Sequence, residues 1–228
     1  MKKVSIITIV ITLLSITFSF SQETKKKITL DEIWHQYKFY PKTVHGISSL
    51  DNGKQYTMIK NGSLVIYNYA TGDSVDVLLQ KEKLIPKGRK KPIYLSSYKM
   101  SNDGKNFLIP TATESIYRHS KKSDFYIYNK NSDTITLLSN GGKQRLADFN
   151  PAGTKVAFVR ENNIYIKDLE TGNENQITTD GVKNKIINGT CDWVYEEEFG
   201  FTKAFFWSPD GNKIAYYRFN ERDRKSVV

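Results

Sequence analysis

Ser101-Asn102-Asp103-Gly104-Lys105-Asn106-Phe107-Leu108-Ile109 sets a polar turn directly before an apolar, β-favouring run. Glycine reaches positive φ without steric cost, so Asp-Gly before such a run signals a hairpin. The unit recurs. Leu50-Asp51-Asn52-Gly53-Lys54 leads to Tyr56-Thr57-Met58-Ile59, and Asn150-Pro151-Ala152-Gly153-Thr154-Lys155 leads to Val156-Ala157-Phe158-Val159. Ser208-Pro209-Asp210-Gly211-Asn212-Lys213 leads to Ile214-Ala215-Tyr216-Tyr217. The turn glycines Gly53, Gly104, Gly153 and Gly211 are separated by 51, 49 and 58 residues.

The first three repeats carry a second hairpin. Leu64–Tyr67 runs through Ala70-Thr71-Gly72-Asp73 to Val75–Leu78, and Phe125–Tyr128 runs through Asn129 to Asp133 into Thr134–Leu137. Ile164–Lys167 runs through Glu170-Thr171-Gly172-Asn173 to Asn175–Thr178. Two hairpins per period of about fifty residues means about four strands, the signature of a β-propeller blade. The expected fold is all-β, a partial β-propeller of about three and a half blades over residues 45–222. A β-sandwich is the alternative, but it does not require similar turns at near-constant spacing.

The 228 residues are 39% hydrophobic and 13% aromatic, enough for a core and weighted toward β structure. Lys2 and Lys3, an apolar stretch from Val4 to Phe20 and a small-x-small site at Ser19-Phe20-Ser21 predict a signal peptide over residues 1–21. An uncleaved anchor is the alternative. Residues 22–44 are read as an N-terminal segment with a short helix. There Thr29-Leu30-Asp31-Glu32 forms a capping box, Ile28 and Ile33 are placed as a hydrophobic staple, and Trp34 and Tyr37 give an apolar face.

At the far end, Asp223-Arg224-Lys225-Ser226-Val227-Val228 can be written GAT CGG AAG AGC GTC GTG, the codons of a widely used sequencing adapter. Residues 223–228 are therefore expected to be adapter-derived, with the true chain continuing past about Glu221; a natural basic tail is the alternative. The formal charge of +10 falls to +7 without Lys2, Lys3 and this tail. Its densest part, Lys81 to Lys91 around Pro86 and Gly88, reads as an exposed loop. Charge alone would admit a nucleic-acid patch, but an exported chain does not meet that partner, and none is expected.

The chemistry concentrates at Asp192-Trp193-Val194-Tyr195-Glu196-Glu197-Glu198-Phe199. Charge runs are usually solvated faces. Here three adjacent carboxylates stand among Trp193, Tyr195 and Phe199, a rigid negative site suited to a cationic amine. Cys191, the only cysteine, allows no intrachain disulfide and reads as a structural thiol. The histidines are His35, His45 and His119, and no Gly-x-Ser-x-Gly elbow occurs. His119 beside Ser120 is no triad, since neighbours in sequence do not supply its geometry. No catalytic residue, metal ligand or cofactor is expected within these residues.

From about Ile28 to Asn220 the chain resembles the N-terminal half of the dipeptidyl peptidase IV family of prolyl-oligopeptidase-type serine peptidases, in its bacterial form. The resemblance rests on Asp192-Trp193-Val194-Tyr195-Glu196-Glu197-Glu198, Tyr117-Arg118-His119-Ser120, Trp207-Ser208-Pro209-Asp210-Gly211 and Phe219-Asn220. It implies an eight-bladed ring, of which about three and a half blades are present, followed by an α/β-hydrolase domain that carries the catalytic Ser, Asp and His. It implies release of Xaa-Pro or Xaa-Ala dipeptides from peptides with a free N-terminus. By the same resemblance, Glu197 and Glu198 hold the substrate α-ammonium, Arg118 contacts the carbonyl region of its main chain, and the full-length parent can form a homodimer. A non-enzymatic exported propeller that binds proteins or peptides is the other reading.

Overall fold

The structure, a computed structural model, describes residues 26–41 and 43–222. The signal peptide expected at 1–21 and the adapter-derived tail expected at 223–228 lie outside the described residues. The chain divides into two units, Met1–His45 and Gly46–Val228.

In the first unit, helix α1 (Leu30–Trp34) begins at the expected capping box. Thr29 Oγ1 accepts from the Glu32 amide at 3.1 Å, and Glu32 Oε2 accepts from the Thr29 amide at 3.2 Å. Such a cap contributes about 1 kcal/mol. Ile28 and Ile33, the staple pair, are 63% and 40% exposed, and Trp34 and Tyr37 are exposed beside them. The apolar face forms but is not buried.

The second unit is built of antiparallel meanders. Blade one comprises β1 (Ser48–Ser49), β2 (Gln55–Lys60), β3 (Ser63–Asn68) and β4 (Ser74–Leu79), paired in sequence order. Blade two comprises β5 (Lys99–Met100), β6 (Asn106–Ser115), β7 (Lys121–Asn129) and β8 (Thr134–Leu137). Blade three comprises β9 (Arg145–Phe149), β10 (Lys155–Arg160), β11 (Asn163–Asp168) and β12 (Glu174–Gln176). After it come β13 (Ile186–Asn188), helix α2 (Trp193–Phe199), β14 (Phe205–Trp207), β15 (Ile214–Tyr216) and β16 (Arg218–Asn220). There β14 pairs with β15, and β16 returns to β13. The expected partial propeller is what these open, sequential sheets form.

Each repeated turn joins the first and second strands of its sheet. The glycines hold the predicted left-handed conformation, with φ of 63°, 70°, 70° and 71° at Gly53, Gly104, Gly153 and Gly211. The core lies between neighbouring blades. Leu64 and Leu79 of blade one pack with Phe107 and Ile109 of blade two. Leu108 faces the other way, toward Phe149, Val156 and Phe158 of blade three. Ala157 and Val159 in turn face Phe205. Because side chains alternate across a strand, a second strand sandwiched between two blades must be apolar on both faces. That is why Phe107-Leu108-Ile109 and Val156-Ala157-Phe158-Val159 read as unbroken apolar runs. Full burial of each such large side chain contributes about 1.5–3 kcal/mol.

The basic segment forms a short 3-10 turn at Lys81–Lys83 and an otherwise exposed loop anchored by buried Leu84 and Pro86.

Candidate functional site

Two irregular elements leave the blades and meet. The first is an extension of the β6–β7 hairpin. Its register shifts between Thr111 and Glu114, and Ala112 takes a φ of 45°. A bulge of this kind bends the ladder and re-aims the residues beyond it. From there the strands continue as an arm, closed at the tip by the Ile116 amide donating to the Ser120 carbonyl at 2.9 Å. The base of the arm is tied down by reciprocal amide–carbonyl bonds of 2.9 Å between Ser123 and Gln144. Lys143 and Lys122 reinforce it through Glu114, at 2.9 and 3.0 Å.

The second element is α2, formed by the acidic run, to which sequence analysis assigns no secondary structure. Its start and stop are written in the chain. The Asp192 side chain caps the N-terminus by accepting from the Tyr195 amide at 3.0 Å, and Gly200 ends the helix in the left-handed conformation. Tyr195 anchors it, with ring centroids 4.9 Å from Phe219, 5.6 Å from Phe201 and 5.1 Å from Phe199. Trp193 and Phe199, the other aromatics of the run, are largely exposed. Cys191 closes the preceding loop, its thiol donating to the Phe201 carbonyl at 2.7 Å. Burial, reinforced by the Glu196 charge, pushes that thiol up to about 11, which suits a structural role rather than a nucleophile.

The three glutamates part company on this helix. Glu196 is 3% exposed, and its Oε1 accepts from the backbone amides of His119 at 2.7 Å and Ser120 at 2.8 Å. Glu197 is half-buried, with Oε1 in an ion pair 2.6 Å from Arg118 Nη1. Its Oε2 is buried and makes no hydrogen bond among the described residues. Glu198 is exposed, one helical step of about 100° further round. Arg118 is 66% exposed, so most of its guanidinium faces outward.

Of the three predicted site residues, Glu197 and Arg118 are brought into contact although Arg118 precedes α2 by more than seventy residues, while Glu198 follows on the same helix as an exposed side chain. Sequence reasoning missed Glu196 as the link between arm and helix. The signal for it was the helix itself: with Asp192 as cap, Glu196 falls one turn after it, on the side that packs inward.

Fold and site together define a segment of a propeller in which an acidic helix is pinned against an arginine-bearing hairpin. Residues 101–227 match the family model described as Dipeptidyl peptidase IV (DPP IV) N-terminal region. The chain belongs to that family. It is 32% identical over 216 residues to prolyl endopeptidase FAP of Homo sapiens, covering 89% of this chain and 26% of the human one. It is 32% identical over 204 residues to a protein of Aspergillus flavus named "Probable dipeptidyl peptidase 4", covering 87% of this chain and 25% of that one. Among solved structures, the crystal structure of Porphyromonas gingivalis dipeptidyl peptidase 4 superposes with a TM-score of 0.73 and 40% identity, over 86% of this chain and 28% of that one. The chain thus spans about a quarter of the length of the relatives it matches.

Proposed function

We propose that this chain is the substrate-recognising and gating part of an exported serine exopeptidase that releases Xaa-Pro or Xaa-Ala dipeptides from peptides with a free N-terminus. The observation that carries the reading is Glu197, whose buried Oε2 lacks a partner among the described residues while Oε1 is held by Arg118. A buried carboxylate oxygen without a donor is costly, and a charge-assisted bond from an ammonium relieves that cost. An α-ammonium is cationic below a pKa of about 8 and carries three N–H groups. Glu197 and Glu198 flank it, and the outward side of Arg118 takes the neighbouring peptide carbonyl. Fixing the amine measures off two residues to the scissile bond, and a blocked N-terminus leaves the carboxylate unpaired.

The nucleophile, its base and its orienting acid would come from a hydrolase domain later in the same chain, with residues 1–21 as export signal and 223–228 as adapter-derived sequence. The full-length protein could pair as a homodimer. The test uses that full-length protein and a proline-containing peptide with a free or an acetylated N-terminus. Glu197→Gln should lower kcat/KM for the free peptide by an amount equivalent to about 2–5 kcal/mol, the loss typical of breaking a desolvated charge pair, and Glu198→Gln, at an exposed carboxylate, by about 1 kcal/mol. Native kinetics in both variants, or equal turnover of the acetylated peptide, would overturn the reading.

A further inference from the structure

The arm that carries Arg118 is held at two points. Its base is fixed by Ser123, Gln144 and Lys143, and its tip by Glu196. Between the arm and blade three lies a cavity of about 930 Å³, lined among others by Glu114, Ile116, Arg145 and Arg160. The arm is therefore not backed by a packed core along its length, and its tip is held to α2 through Glu196 and through the Arg118–Glu197 ion pair, whose guanidinium is largely exposed. Two backbone amides converge on one carboxylate oxygen, which fixes the orientation of the His119–Ser120 peptide as well as its distance. Arg118 is the residue immediately before it.

We propose that Glu196 is a positioning residue: its buried carboxylate pins the arm tip to α2 and so sets where the Arg118 guanidinium stands opposite Glu197. Glu196 touches no substrate. It acts by registering two elements that belong to different repeats, one bearing the cation and the next residue of its own helix bearing the partner anion. Burial works against ionisation of Glu196, but the His119 and Ser120 amides, with the Arg145 charge adding to them, hold the carboxylate in the ionised form that binds two donors best. Positioning of this kind matters because misplacing a binding group by about 1 Å can cost on the order of 100-fold in rate.

This inference rests on the assignment of Glu197 and Arg118 to substrate binding, and the experiment separates the two. In the full-length protein, Glu196→Ala, Glu196→Asp, Glu196→Gln and Glu197→Gln are compared on an aminoacyl-proline anilide with a free amine. A fluorophosphonate that labels the serine without needing an amine is the second probe. Glu196→Ala should raise KM for the anilide at least about tenfold while the labelling rate stays within about twofold. Glu196→Gln, which retains an acceptor oxygen at the same reach, should restore KM to within about threefold of native. Unchanged KM in folded Glu196→Ala, or parallel loss of turnover and labelling, would overturn the positioning role. If Glu196→Ala fails to fold, Glu196→Asp decides: its carboxylate stops one methylene short, and a native KM there overturns the proposal. A native KM in Glu197→Gln removes the underlying assignment instead, whatever the Glu196 variants do.

Discussion

The Asn106 side-chain amide donates to the Gly153 carbonyl at 3.1 Å, tying the second strand of one blade to the repeated turn of the next. The turns do more than reverse the chain. A Cβ placed on Gly153 would lie 3.0 Å from the Cβ of Ser101, in the preceding turn, and one on Gly211 would lie 3.2 Å from the Asn150 amide nitrogen. The third turn therefore stacks on the second, and the fourth on the third.

That stacking separates two glycines with the same φ of 70°. Gly104→Ala and Gly153→Ala should each lose about 1–2 kcal/mol from the left-handed backbone. Gly104 has open space beyond it, whereas Gly153 is crowded by Ser101 and Asp103. Gly153→Ala should then cost a further 1–3 kcal/mol or so, as overpacking does. Urea unfolding of both variants in the full-length protein checks this, and equal midpoints would contradict the stacked arrangement.

Cys191 should be inert in the native state. A thiol raised to about 11 by burial is protonated at neutral pH, so iodoacetamide labelling should run on the order of 100-fold slower than for a free thiol. Its folded pKa lies above the unfolded value. The stability linked to it is therefore present below about 8.5 and lost as pH rises through about 11. Mass spectrometry of timed labelling, with and without denaturant, reads the difference directly, and rapid native labelling would refute it.

Glu196 predicts an acid-side effect. Burial alone would raise its pKa, but the His119 and Ser120 amides, the Ser120 hydroxyl and Arg145 outweigh that and hold it below the usual carboxylate value. Cys191, also close, stays neutral in this range and does not compete. A depressed folded pKa contributes stability above the unfolded value of about 4.3 that is lost as pH falls through the folded one. Native protein should therefore melt above Glu196→Gln at pH 7, and the gap should close as acid protonates the carboxylate. A gap independent of pH would show that charge at Glu196 does not matter.

The blades were legible because their physics is periodic. Asp103-Gly104 needs left-handed backbone, and Phe107-Leu108-Ile109 needs two buried faces; both requirements are local and leave their mark in sequence. The site was only half legible. Arg118 and Glu197 could be named as candidates, but the reason they meet lies in the Ala112 bulge and in Glu196, and no local pattern announces a contact across more than seventy residues. One clue was present in the spacing. The interval from Gly153 to Gly211, 58 residues against 51 and 49, is longer because β13 and α2 are set within it. The staple at Ile28 and Ile33 illustrates the converse: the helix start was readable from Thr29 and Glu32, but the burial of its apolar face depends on what packs there, which sequence next to the helix does not encode.

The arm and the acidic helix also join repeats that are not neighbours. Arg118 is carried by the second blade and Glu197 by the helix after the third, so the 2.6 Å pair reaches past blade three. The contact is thus a tie that passes over a blade, where each interblade core joins only adjacent repeats.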